Sequence, residues 1–131
     1  MGNDPLAKLL IDKKESNRQI IADILNPFAR IDKETGTIVY TPQFSKLAIP
    51  KKVMIFLLSR KAAVMLGLPI KKEEVSSYEI SKESGIKYGT VRVTVLRLEK
   101  NRLLAKNGEK YFIPDYAVHL IKEMIEKEKK K

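Results

Sequence analysis

Apolar and polar positions alternate along the chain with several distinct periods. Leu6, Leu9 and Leu10 make one stripe, and Ile20, Ile21, Ile24 and Leu25 make another. Spacings of three and four are those of one helix face. Lys13 to Arg18 between the stripes is polar, so the pattern predicts one bent helix or two short ones, ending before Pro27. Asp4-Pro5 offers a cap and a first-turn proline, and Ser16 with Gln19 offers a second start. Phe28–Ile31 and Thr37–Tyr40 flank Asp32-Lys-Glu-Thr-Gly36, which predicts a hairpin with a left-handed residue at Gly36. Pro42 to Pro50 is an irregular connector anchored by Phe44 and Leu47. Val53 to Leu68 is apolar on nearly every side, which predicts a central helix buried on more than one face, ended by Gly67 and Pro69.

The second half carries the most ordered signals. A short helix starts near Ser76 or Ser77, and Gly85 closes it by supplying a left-handed residue. A helix from about Lys87 to Asn101 follows, with Val91, Val95 and Leu98 on one face. Asn107-Gly108 between two apolar runs predicts a two-residue turn joining strands near Leu103–Lys106 and Glu109–Ile113. Val75 adds a short strand to that sheet. Pro114-Asp115 opens a last helix whose stripe is Ala117, Leu120, Ile121 and Met124.

Helix, tight turn, helix and hairpin, in that order, resemble the winged helix-turn-helix family. The resemblance covers about Lys51 to Ile113. It rests on Ile80 and Gly85-Ile86 at the turn, Thr90-Val91 and Leu98-Glu99-Lys100 at the two ends of the second helix, and Leu103-Leu104 before the wing. It implies an α+β, mostly α fold. Residues 1–50 form a helical and β-hairpin extension, and residues 51–131 form the winged domain with its trailing helix. It also implies double-stranded DNA as partner, a transcriptional regulator of archaeal type and a nucleoid-associated location, and the absence of cysteine fits a reducing cytoplasm. The second helix would enter the major groove and the wing would touch backbone.

Charge sharpens this expectation. Residues 1–50 hold 7 Lys/Arg and 6 Asp/Glu, a net of +1, whereas residues 51–131 hold 19 and 10, a net of +9. Such clustering is the footprint of a polyanion partner; the alternative is a solvated lysine-rich surface, and five of these cations fall in the last ten residues. With Val91, Val95 and Leu98 inward, Lys87, Tyr88, Thr90, Arg92 and Thr94 face outward or to the edges, and Arg97 follows a turn later. Arg92 has the fork that matches guanine, and Lys106, Asn107 and Lys110 on the wing would meet backbone.

The remaining chemistry is sparse. The chain has no cysteine and one histidine, His119, so zinc sites and nucleophile–base pairs lack material. Gly85-Ile-Lys-Tyr-Gly-Thr lacks the spacing of a phosphate loop, and Asp32 with Glu34 is too little for calcium. No enzyme activity, cofactor or metal is expected. No stretch reads as a signal peptide or membrane span. The many Lys, Glu and Ile residues have a thermophilic cast. The surplus of apolar stripe suggests a homodimer through the N-terminal helix, the trailing helix or both, or the same stripes packing back on their own domain. Two other functions fit the pattern: a protein-interaction winged helix within a transcription or replication assembly, and a chromatin protein without sequence preference.

Overall fold

The structure is a computed structural model that describes residues 5–9, 13–69 and 72–129. Its class is α+β, mostly helical, with two small antiparallel sheets. A single 3-10 stretch at Pro5–Leu9 precedes helix α1 (Lys13–Leu25). The N-terminal pattern thus resolves into two pieces. α1 begins at Lys13, so Ser16 lies inside the helix instead of capping it. The Asp4 cap and Leu10 lie outside the described residues.

Strands β1 (Ala29–Ile31) and β2 (Ile38–Tyr40) pair as the predicted hairpin. Asp32 shapes its loop, accepting the Glu34 and Thr35 amides at 2.7 and 3.1 Å. These bonds hold its carboxyl below the usual aspartate value. The connector is more regular than its sequence suggests: Pro42–Ser45 make one helical turn, α2, which buries Phe44. The Phe44 ring stacks on Tyr40 at 4.0 Å.

Helix α3 (Ile49–Met65) is the centre of the molecule. It starts four residues before its first fully apolar turn because Pro50 sits in the first turn, where its missing N–H costs nothing. Val53 to Leu58 are six consecutive buried residues. α1 and β1 pack on α3 from the first half, and α4, α5 and β5 pack on it from the second. Gly67, at φ 72, ends it: Leu68 N–H donates to Ala63 O and Gly67 N–H to Val64 O. One apolar cluster takes Ile21, Ile24, Leu25, Phe28 and Phe44 from the N-terminal segment and joins them to α3 and everything after it. The 50/51 division proposed from the sequence falls inside the first turn of α3.

After α3 come β3 (Val75–Ser76), α4 (Ser77–Ser84), α5 (Tyr88–Lys100), β4 (Ala105–Asn107), β5 (Lys110–Phe112) and α6 (Val118–Lys129). The second sheet has the order β3-β5-β4, all antiparallel. Asn107 pairs with Lys110, so the two-residue turn is Gly108-Glu109 and not Asn107-Gly108. Gly108 has φ 64, whereas neither neighbour has positive φ. That fits the hairpin turn with glycine at its first central position. Asn107 stays extended because its side chain is engaged, donating to Glu74 Oε2 at 3.1 Å. The register also puts Tyr111 opposite both Lys106 and Val75, and buries it.

The last helix opens with a 3-10 turn, Asp115–Ala117. It packs back against α1, and Val118, Ile121 and Ile125 are buried there. This is the second of the two readings of its stripe: the apolar face is covered within the chain.

Candidate nucleic-acid interface

The site is built on α4, the turn, α5 and the β4–β5 hairpin. Ser76 caps α4: its hydroxyl accepts the Glu79 amide at 3.2 Å and lies 3.3 Å from the Glu79 carboxylate. The Ser76 hydroxyl thus serves both the Glu79 amide and its carboxylate, and it fixes where the helix begins. Gly85, at φ 80, closes the helix, and its N–H reaches Ser81 O. Nothing lies within 4 Å of a Cβ built there, so the glycine answers to backbone conformation and not to crowding. Ser81 Oγ donates to Ile86 O at 2.6 Å, tying the turn to the helix it leaves. Ile86 then drops into the core, and α5 begins at Tyr88.

The inward face of α5 is Val91, Thr94, Val95 and Leu98. Thr94 is therefore a correction in part: it is buried, and it reaches only the edge of the helix, where it lines the groove beside α3. Residue 94 falls between residues 91 and 98 at spacings of three and four, so geometry outweighs its polarity. Its hydroxyl donates to Thr90 O at 2.7 Å, which satisfies the polar atom without water. Lys87, Tyr88, Thr90, Arg92 and Arg97 are exposed, as expected.

The exposed residues divide between two hollows. A hollow of about 430 Å³ lies between the start of α4, α5 and the sheet, lined by Ser76, Ser77, Tyr78, Tyr88, Arg92, Lys106, Glu109 and Tyr111. Its two cations lie over its rings: the Arg92 guanidinium is 5.9 Å from the Tyr88 centroid, and Lys106 Nζ is 5.6 Å from that of Tyr111. On the other flank Lys87, Thr90 and Arg97 border a broad open groove with Ile49 and Pro50 at the start of α3. Asn107 and Lys110 join neither. They are Cα partners beside the turn, and strand alternation puts them on the face opposite to Lys106 and Tyr111.

Three features escaped the sequence reading. Ser77 and Tyr78 bring the first turn of α4 to the hollow; the Ser76-Ser-Tyr-Glu79 capping pattern was the available signal. Lys100 is a further exposed cation on α5. Val93 and Leu96 are apolar and exposed, at 58% and 50%. The period of α5 was the available signal for that pair, since both fall opposite Val91 and Val95.

In the first half an apolar groove of about 360 Å³ runs between α1, β1 and the end of α3, past Ile21, Leu25, Ile31, Met65 and Leu66. Arg18 at its edge donates to Met65 O at 2.8 Å. Among the described residues no group of three or more His, Asp or Glu side chains gathers as for a metal, and no helix is long and apolar enough to cross a membrane. The chain was compared with protein-family models, with curated proteins and with solved structures, and nothing matches in any of the three.

Proposed function

We propose that this protein is a non-enzymatic DNA-binding protein of winged helix-turn-helix type, a transcriptional regulator acting on duplex DNA as a homodimer. α5 is the helix that enters the major groove and β4–β5 is the wing. One observation carries the reading: Arg92 from α5, Lys106 from the wing and the first turn of α4 converge on one hollow. A phosphate there would meet Lys106 and the amide end of a helix, while Arg92 and the exposed face of α5 reach base edges. Glu109 is the one acid on that hollow. Glu99 is the one acid within α5, against Arg92, Arg97 and Lys100.

The test is a titration of mixed-sequence duplex and single-stranded DNA at several salt concentrations. The proposal expects duplex binding that falls steeply with salt. Arg92→Ala should cost about 1–3 kcal/mol on a preferred site and relax its sequence preference. Lys106→Ala should weaken all duplexes alike and lower the salt slope by about one unit. A chromatin protein without sequence preference would show the Lys106 effect alone.

A second reading has its own support. Val93 and Leu96 and the α1–β1–α3 groove are apolar surfaces suited to a protein partner in a transcription or replication assembly. Negligible duplex binding at low salt decides for that reading.

A further inference from the structure

We infer that α5 reads thymine: Val93 and Leu96 form an apolar contact for the 5-methyl groups that A·T pairs present in the major groove. The inference rests on the DNA-binding reading and adds the kind of sequence recognised.

The helix period defines the outermost line of α5. Taking the buried residues Val91, Val95 and Leu98 as the inner side, the opposite side is Gly89, Val93, Leu96 and Lys100. Arg92 flanks this line toward the wing and Arg97 flanks it toward α3. The residues that would go deepest into a groove are therefore a glycine, a valine and a leucine, with Lys100 at the far end of the line, and Arg92 and Arg97 stand to either side. Gly89 adds to the point. It lies in the first turn, and a Cβ built there meets nothing within 4 Å, so no internal packing requires its absence. A glycine inside a helix costs about 0.5–1 kcal/mol relative to alanine. Here it leaves the leading end of the outer face without bulk, one turn before Val93.

The surroundings choose the occupant. Lys87, Arg92, Arg97 and Lys100 ring the apolar pair, and Glu99 is the one acid of the helix. A polyanion matches that rim. Of the groups a duplex presents in its major groove, the thymine 5-methyl is the apolar one. Arg92 and Arg97 then meet phosphates or guanine at the edges, and the centre selects A·T pairs.

The experiment uses the full chain and two duplexes of about two helical turns, identical except that deoxyuridine replaces every thymine in the second. Base pairing and polar edges are unchanged; only the methyl groups are lost. The unmodified protein should bind the thymine duplex more tightly, by about fourfold for each methyl it contacts. Val93→Ala with Leu96→Ala should bring the two affinities within about twofold while leaving the salt slope unchanged, because no phosphate contact is removed. Both positions are exposed and alanine favours helix, so the fold is not at risk. The double variant also controls for any effect of the methyl groups on duplex shape, which would persist in it.

Equal binding of the two duplexes by the unmodified protein overturns the inference and leaves the DNA reading intact. A preference that survives in the double variant overturns it too. Negligible binding of either duplex at low salt overturns the DNA reading beneath it. Self-association that the double variant abolishes, with no difference between the duplexes, assigns the pair to a second copy of the chain.

Discussion

Lys61 Nζ lies 2.8 Å from Asp115 Oδ1 and 3.5 Å from Glu73 Oε2, with its own side chain 7% exposed. One buried cation on the central helix thereby holds the connector after α3 and the entry to the last helix. Asn17 of α1 adds to the same corner by donating to Asp115 O at 3.2 Å.

The three partners of this cluster are not equivalent. Asp115 is 62% exposed and Glu73 24%, so both carboxylates reach water when the lysine is lost. Lys61→Met should therefore cost less than about 1.5 kcal/mol. Glu73→Ala with Asp115→Ala strands the ammonium in the core and should cost about 3 kcal/mol or more. The Asn17 bond, which uses a backbone carbonyl, survives both changes. Denaturant unfolding gives the order; a costlier Lys61→Met reverses the account.

Glu73 also predicts a pH dependence. Burial raises its carboxyl above the ordinary 4.5, and Lys61 offsets only part of that. The folded chain then binds this proton more tightly than the unfolded chain. Stability from this group is present below 4.5 and is lost as pH rises through the folded value. The stability of the natural protein minus that of Glu73→Gln should fall as pH climbs from 4.5 and then level off. Asp32 acts in the opposite sense: its lowered carboxyl removes stability as pH falls below 3.8. Unfolding curves across acid pH separate the two.

Two helix ends test the role of left-handed residues. α4 ends at Gly85 with φ 80, whereas α5 ends with Arg102 at φ 62, the one non-glycine with positive φ among the described residues. Leu103 N–H to Leu98 O and Arg102 N–H to Glu99 O complete the second cap. Gly85→Ala should cost about 1–2 kcal/mol. Arg102→Gly should gain about 0.5–1 kcal/mol, the strain relieved less the added freedom of the unfolded chain. Thermal melts read both; destabilisation by Arg102→Gly would show that its side chain outweighs its backbone.

The proposed homodimer has lost one of its two candidate surfaces, because α6 is covered by α1. The expected pairing surface is the N-terminal one, where the apolar groove beside α1 is open and Leu66 at its edge is 58% exposed. Sedimentation at micromolar concentration should give a dimer, and Ala22→Glu, which charges the groove, should give a folded monomer. A monomeric natural protein overturns the dimer.

The elements with strong local signals were legible in the sequence. Gly85 with Val91, Val95 and Leu98 placed α4, the turn and α5 to within about a residue, because one backbone requirement and one period act together. The β4–β5 hairpin falls where the sequence predicts it, with its turn one residue later. The strongest dipeptide, Asn107-Gly108, was overruled by the long-range bond of Asn107 to Glu74 and by the burial of Tyr111. Thr94 sits at the edge of α5 and is buried there, because its period carries it toward the core while its hydroxyl bonds Thr90 O. Ser16 with Gln19 has the spacing of a cap, but Asp12 with Glu15 has the same kind of spacing one turn earlier, and α1 already runs through Ser16 from Lys13. Val93 and Leu96 are legible as outer-face residues only from the period of α5, since their apolar character alone matches a core position. Lys61 joins residues 12 and 54 positions away, and no local pattern carries that information.

Strand β3 is two residues long, and each residue has a separate duty. Val75 closes the sheet beneath Tyr111, and Ser76 pairs with Lys110 while its side chain caps α4. Glu74, one residue earlier, anchors the β4–β5 hairpin through Asn107. The stretch therefore has no slack in length. A single residue inserted between Val75 and Ser77 would turn Val75 to the other face of the sheet or pull the cap off its helix. The Asp32–Gly36 loop, exposed over most of its length and closed on itself, tolerates such an insertion. Tolerance to insertion in this chain thus follows the duties of single residues. The shortest strand is among the segments where the chain length is most tightly set.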